Sequence, residues 1–147
     1  MTNYFQAKSM QNLLVRKYFY LWLAEFWTVL IAFLCLTSFK KLPSIGVKSA
    51  DKYVHFTFYF VFTILWFLYF NNKPSNRNKS PKALVLKVFL ASFFYGVLIE
   101  IAQSLFTTTR KGDVLDVIAN TSGALSAVLI LVLWSHYFTK KIKLNRH

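Results

Sequence analysis

The sequence predicts an all-α protein, a four-helix transmembrane bundle with both termini in the cytoplasm. Three observations lead there. The 147 residues are 56% hydrophobic and 19% aromatic, with a mean hydropathy of +0.41, more apolar than a soluble domain. Four apolar stretches approach or exceed the roughly 20 residues that a helix needs to cross the hydrocarbon core. None of them keeps up the period-two alternation of a membrane β-strand.

The first span is expected at about residues 18–38, after a polar segment that ends at Lys17. No small-residue cleavage site follows it, so it does not read as a signal peptide. The second span, about 53–70, is a little short. Residues 71–81, rich in Asn, Lys, Ser and Pro, form a solvated connector. The third span covers about 83–106 and the fourth about 114–138. The chain therefore divides into a cytoplasmic tail (1–17), one membrane domain (18–138) and a basic cytoplasmic tail (139–147). The single cysteine, Cys35, lies in an apolar run; it can form no internal disulfide.

Orientation follows from Lys and Arg. Twelve lie in the two tails, the second loop and the start of the third span; six lie in the first and third loops. The positive-inside rule places the richer side, and with it both termini, in the cytoplasm. The formal charge of +13 gathers at the ends of apolar runs, where it anchors helices against anionic headgroups. No basic amphipathic stretch stands apart from the spans, so nucleic acid is not an expected partner, whereas membrane lipid is.

Function is expected in two polar motifs, because ionisable groups inside spans are expensive and by default functional. Four of the five carboxylates fall in them. The first motif is Asp51, Lys52, His55 and Tyr59, at the start of the second span. Asp51, His55 and Tyr59 are spaced i, i+4, i+8 and share a helix face. The second runs from Glu100 and Gln103, through Arg110, to Asp113, Asp116, Asn120 and Gly123. Glu100 lies six residues before the end of its span, roughly 9 Å deep, too far in to cap a helix. Asp113, Asp116, Asn120 and Gly123 again share a face. Asp113 and Asp116 also suit the positive end of the fourth helix, and Gly123 suits close helix approach. With the termini inside, both motifs meet at the outer side. A further charge pair is expected at the inner side, Glu25 of the first span with Lys87 of the third, at comparable depths.

Together these motifs resemble the VanZ-like family of small bacterial membrane proteins, over about residues 50–135. This chain has Thr107, Thr108 and Thr109 where the family often places a proline before the arginine, and Ala127 where a second glycine is common. Neither departure touches an ionisable group. The resemblance implies a cell-envelope protein. It also implies a link to antibiotic resistance, since the founding member is tied to low-level resistance to the glycopeptide teicoplanin.

Two functions fit this pattern. In one, the protein binds an outer-leaflet lipid, a lipid-linked cell-wall precursor or a glycopeptide, with Lys52, Arg110 and Lys111 meeting anionic groups. In the other, it is an intramembrane enzyme for a lipid-linked envelope substrate. Glu100, Asp113 and Asp116 with His55 would then do acid/base or metal-assisted work. No phosphate loop or nucleophile elbow is present, no cofactor is called for, and the spacing matches no metal motif. A proton-coupled transporter would need more helices than four, unless the chain oligomerises.

Overall fold

The computed structural model describes residues 2–37, 50–76, 80–107 and 112–144. Four helices account for nearly all of them: α1 (Thr2–Leu36), α2 (Ala50–Asn71), α3 (Pro81–Phe106) and α4 (Val114–Leu144). Within them, Val15–Leu36, Ala50–Asn71, Pro81–Phe106 and Val114–Ser135 are long and apolar enough to cross a membrane. The protein is thus an all-α, multi-pass membrane protein. The helix boundaries differ from expectation at the two ends, where α1 and α4 run on through segments read as tails. Nothing in residues 2–17 breaks a helix, for they hold no glycine or proline, and polarity alone does not stop helical hydrogen bonding.

Each helix buries one stripe. In α4 it is Asp116, Asn120, Gly123, Ala124, Ala127 and Leu131; in α1 it is Ala24, Ile31 and Cys35. In α3 it includes Val88, Ser92, Gly96, Ile99, Glu100 and Gln103. These recur every three or four residues, the spacing that puts side chains on one helix face. The opposite faces carry large exposed apolar groups, such as Trp22, Phe94, Leu98 and Leu129, which suit lipid contact.

The closest pairing is α2 with α4, and its cause is Gly123. A Cβ there would lie 2.1 Å from the Phe56 carbonyl oxygen of α2 and 2.9 Å from its carbon, so only a glycine lets the two backbones meet. Against α3, Thr63 and Ser92 share a buried hydroxyl–hydroxyl bond of 2.9 Å. The helix α1 lies across α2 and α3. Trp27 Nε1 donates to the Phe58 carbonyl (3.0 Å), Trp66 Nε1 to Thr28 Oγ1 (3.1 Å) and the Tyr95 hydroxyl to the Thr28 carbonyl (2.6 Å). Cys35 is buried in the cluster formed by Ile31, Tyr59, Phe62 and Ile99.

The expected inner pair is not formed. Glu25 and Lys87 are both exposed, and among the described residues no ion pair joins them. Glu25 is rotated about 100° from Ala24, which faces the bundle, and so points off the packed face.

Candidate functional site

The N-terminal end of α2, the C-terminal end of α3 and the N-terminal end of α4 meet at the end of the bundle opposite the chain termini. The polar residues gather there in two layers.

The shallower layer centres on Lys52. Its Nζ lies 3.0 Å from Asp51 Oδ2 and 2.7 Å from Asp113 Oδ2, and it also donates to Asp116 Oδ1. One ammonium thus has three carboxylate partners. Asp113 does two jobs at once. Its Oδ1 accepts the Leu115 N–H (2.9 Å) and caps α4, while its Oδ2 takes Lys52. The hydrogen bond from Lys52 and the cap hold the Asp113 carboxyl below the usual carboxylate range.

The deeper layer is His55, Glu100, Asp116 and Asn120, all buried, with Tyr59 beneath. His55 Nδ1 lies 3.1 Å from Asn120 Oδ1 and 3.6 Å from Glu100 Oε1; Nε2 lies 3.8 Å from Asp116 Oδ2. Asn120 Oδ1 can only accept, so Nδ1–H is the donor in the short contact, and Nε2 is turned toward Asp116. Glu100 Oε2 accepts the Asp113 N–H at 3.3 Å. Three buried polar atoms have no hydrogen-bond partner among the described residues: Glu100 Oε1, Asn120 Nδ2 and the Tyr59 hydroxyl. Unsatisfied polar groups cost about 1–3 kcal/mol each when buried, so each of the three calls for a partner such as a water.

A cleft of about 200 Å³ opens beside this layer between α3 and α4. Its walls are Val97, Ile101, Val114 and Val117, and Glu100, Ser104 and Asp113 supply the polar part. Gly112 sits tightly against α3 beside it because it has no Cβ. One there would sit 2.3 Å from Ser104 Oγ and 2.7 Å from the Glu100 carbonyl oxygen.

The structure thus brings His55, Glu100, Asp116 and Asn120 together, with Lys52, Asp51 and Asp113 above them. Gln103 faces another way. Its Nε2 donates to the Cys35 carbonyl (2.9 Å) and ties α3 to α1. Tyr59 packs its ring on Phe62 and Tyr95. Arg110 and Lys111, expected to meet anionic groups, lie outside the described residues. Lys52, expected either to meet anionic groups or to neutralise a carboxylate of the cluster, does the second, because Asp113 and Asp116 stand one turn apart at the start of α4. Three residues at the site were not singled out in the sequence: Gly96, Ser104 and Gly112. Gly96 borders both Tyr59 and Asn120, and its place one turn before Glu100 was the available signal.

A similar protein, described only as uncharacterized, occurs in Schizosaccharomyces pombe. It is 31% identical over 105 residues, which are 71% of this chain and 60% of that protein. The chain thus spans well under two thirds of that relative's length. No solved structure was found to match. The VanZ/LLP1 family matches over residues 2–135, nearly the whole of the four helices, and the chain belongs to that family.

Proposed function

We propose that the protein binds the polar head of a membrane lipid, or of a lipid-linked envelope precursor, at the His55–Glu100–Asp116 layer. The lipid tail would lie in the cleft between α3 and α4. The observation that carries this is the pairing of an apolar-walled cleft with a buried carboxylate whose Oε1 has no hydrogen-bond partner among the described residues. Apolar walls with a few convergent polar groups are the usual build of a small-ligand site. The similar protein in a yeast favours a ligand common to bacteria and fungi over one tied to a bacterial wall. Glycopeptide resistance, where relatives confer it, would follow from altered lipid-head presentation and not from contact with the drug.

The test is lipid retention. Wild-type protein extracted in mild detergent is expected to keep a defined lipid, seen by native mass spectrometry. Glu100→Gln should lose it by at least about tenfold, since a hydrogen bond to a charged group is worth roughly 1.5–3 kcal/mol. Equal retention by both proteins would sink the reading. A second reading, acid/base catalysis on the bound head, is favoured by the free Nε2 of His55, which Asn120 holds in one tautomer. Conversion of the retained lipid by wild-type protein in vesicles, abolished in His55→Gln, would separate catalysis from binding.

The same proposal places both termini, with residues 1–17 and 139–147, in the cytoplasm and the site at the outer leaflet of a bacterial inner membrane. The excess of Lys and Arg near the termini supports this. An impermeant thiol reagent added to intact cells is expected to label Lys48→Cys and spare Lys143→Cys. The opposite pattern would invert the topology.

A further inference from the structure

We propose that His55, Glu100 and Asp116 hold a divalent transition-metal cation. This rests on the reading above that the deeper layer is the working part of the site, and it names what that layer holds. One ligand atom from each of the three residues lies within 4.8 Å of the others, and all three residues are buried. Metal–nitrogen and metal–oxygen bonds of about 2.0–2.2 Å set ligands of one ion up to about 4 Å apart. The 3.8 Å between His55 Nε2 and Asp116 Oδ2 fits that span and is too long for a hydrogen bond. Glu100 Oε1 lies on the Nδ1 side of the ring, 3.6 Å away, and its carboxyl would have to turn toward Nε2 to complete the set.

The surroundings are those of a metal site. Asn120 Oδ1 accepts the Nδ1–H of His55 at 3.1 Å, the outer contact that orients a ligating imidazole. Lys52 engages Asp116 through Oδ1, which leaves Oδ2 for the cluster. Glu100 is oriented through Oε2 by the Asp113 N–H, and its Oε1 has no hydrogen-bond partner among the described residues. In the neutral ring with its proton on Nδ1, the Nε2 lone pair faces Asp116 Oδ2 at 3.8 Å, while Glu100 Oε1 lies 3.6 Å from Nδ1. A divalent ion between Nε2 and Asp116 would turn the first of these contacts into ligation. One imidazole with two carboxylates suits Zn²⁺ or Mn²⁺ better than Ca²⁺, which takes six to eight oxygens. Three protein ligands leave an open position facing the site. There the ion would offer an anionic lipid head the positive charge that Lys52, already held, does not.

The experiment uses tag-free full-length protein in detergent, stripped with a chelator and titrated with Zn²⁺ and, separately, Mn²⁺. About one ion per chain is expected, with binding weakened at least tenfold in Glu100→Gln and in Asp116→Asn. Pulsed electron paramagnetic resonance of the Mn²⁺-loaded wild-type protein should show coupling to an imidazole nitrogen, which His55→Gln abolishes. The wild-type spectrum reads the site even if a variant folds poorly. Absence of nitrogen coupling, or uptake unchanged in His55→Gln and Glu100→Gln, would overturn the proposal. Lipid retention is scored separately on the same samples. Metal uptake without retained lipid leaves the inference standing and removes the lipid reading. Lipid retention without metal uptake does the reverse.

Discussion

Gly123→Ala is expected to lower the unfolding midpoint by about 5–10 °C. The added Cβ would stand 2.1 Å from the Phe56 carbonyl oxygen and 3.1 Å from Phe56 Cα. Both are backbone atoms of a helix, which cannot swing aside as a side chain does. The α2–α4 contact must open, and overpacking of this kind costs about 1–3 kcal/mol. Alanine regains up to about 1 kcal/mol of helix propensity, too little to reverse the sign. Gly96→Ala is the internal comparison. Its Cβ would meet Tyr59 Cε1 at 3.2 Å and Asn120 Cβ at 3.4 Å, side-chain atoms that can shift a few tenths of an ångström. Thermal unfolding in detergent should therefore rank Gly123→Ala well below Gly96→Ala. An unchanged midpoint for Gly123→Ala would mean that the two backbones do not meet there. His55 neighbours Phe56, so the same substitution should also weaken whatever the deeper layer binds.

Lys52→Met should be the second large effect. It removes the one cation that the described residues place among Asp51, Asp113 and Asp116. Asp51 and Asp113 are open enough to water to stay charged without a partner, but Asp116 is 7% exposed. Removing one partner of a buried pair costs about 3–5 kcal/mol; the partial exposure of Lys52 brings this nearer to about 2 kcal/mol. The double variant Lys52→Met/Asp116→Asn should recover most of the loss, because the charge left behind carries the cost. If the double variant is no more stable than the single one, the Lys52–Asp116 contact does not matter to the fold.

Much of this architecture was legible in the sequence. Hydropathy gave the four helices, because a backbone in hydrocarbon has to satisfy its own hydrogen bonds and length alone then sets the spans. Helical spacing put Asp116, Asn120 and Gly123 on one buried stripe and placed Glu100 in the interior. What the sequence could not supply was the third dimension of the charges. Lys52 read either as a cation for an anionic ligand or as the neutraliser of a carboxylate in the cluster, and only the fold shows that it takes Asp113, 61 residues away. Gln103 read as part of the same polar face as Glu100. An offset of three residues turns a side chain about 60° further round the helix, enough to reach α1 instead. Glu25 and Lys87 were matched by depth, but depth says nothing of rotation, and both lie off the packed faces. The convergence of His55, Glu100 and Asp116, by contrast, was expected, because their matching depths on three helices bring the two motifs to one end of the bundle.

The cleft between α3 and α4 has a kinetic consequence. Its rim includes Ile101 and Val114, which are 50% and 74% exposed, so its mouth opens on the perimeter of the bundle. A molecule arriving by that route diffuses in two dimensions and never passes through bulk water. Its driving concentration is a mole fraction within the leaflet. Diluting the membrane with inert lipid should slow site occupancy even when the total amount in the vessel is unchanged, and adding more vesicles of the same composition should not. Occupancy would then follow the make-up of the bilayer, and the protein would sample its surroundings as a ratio of lipids.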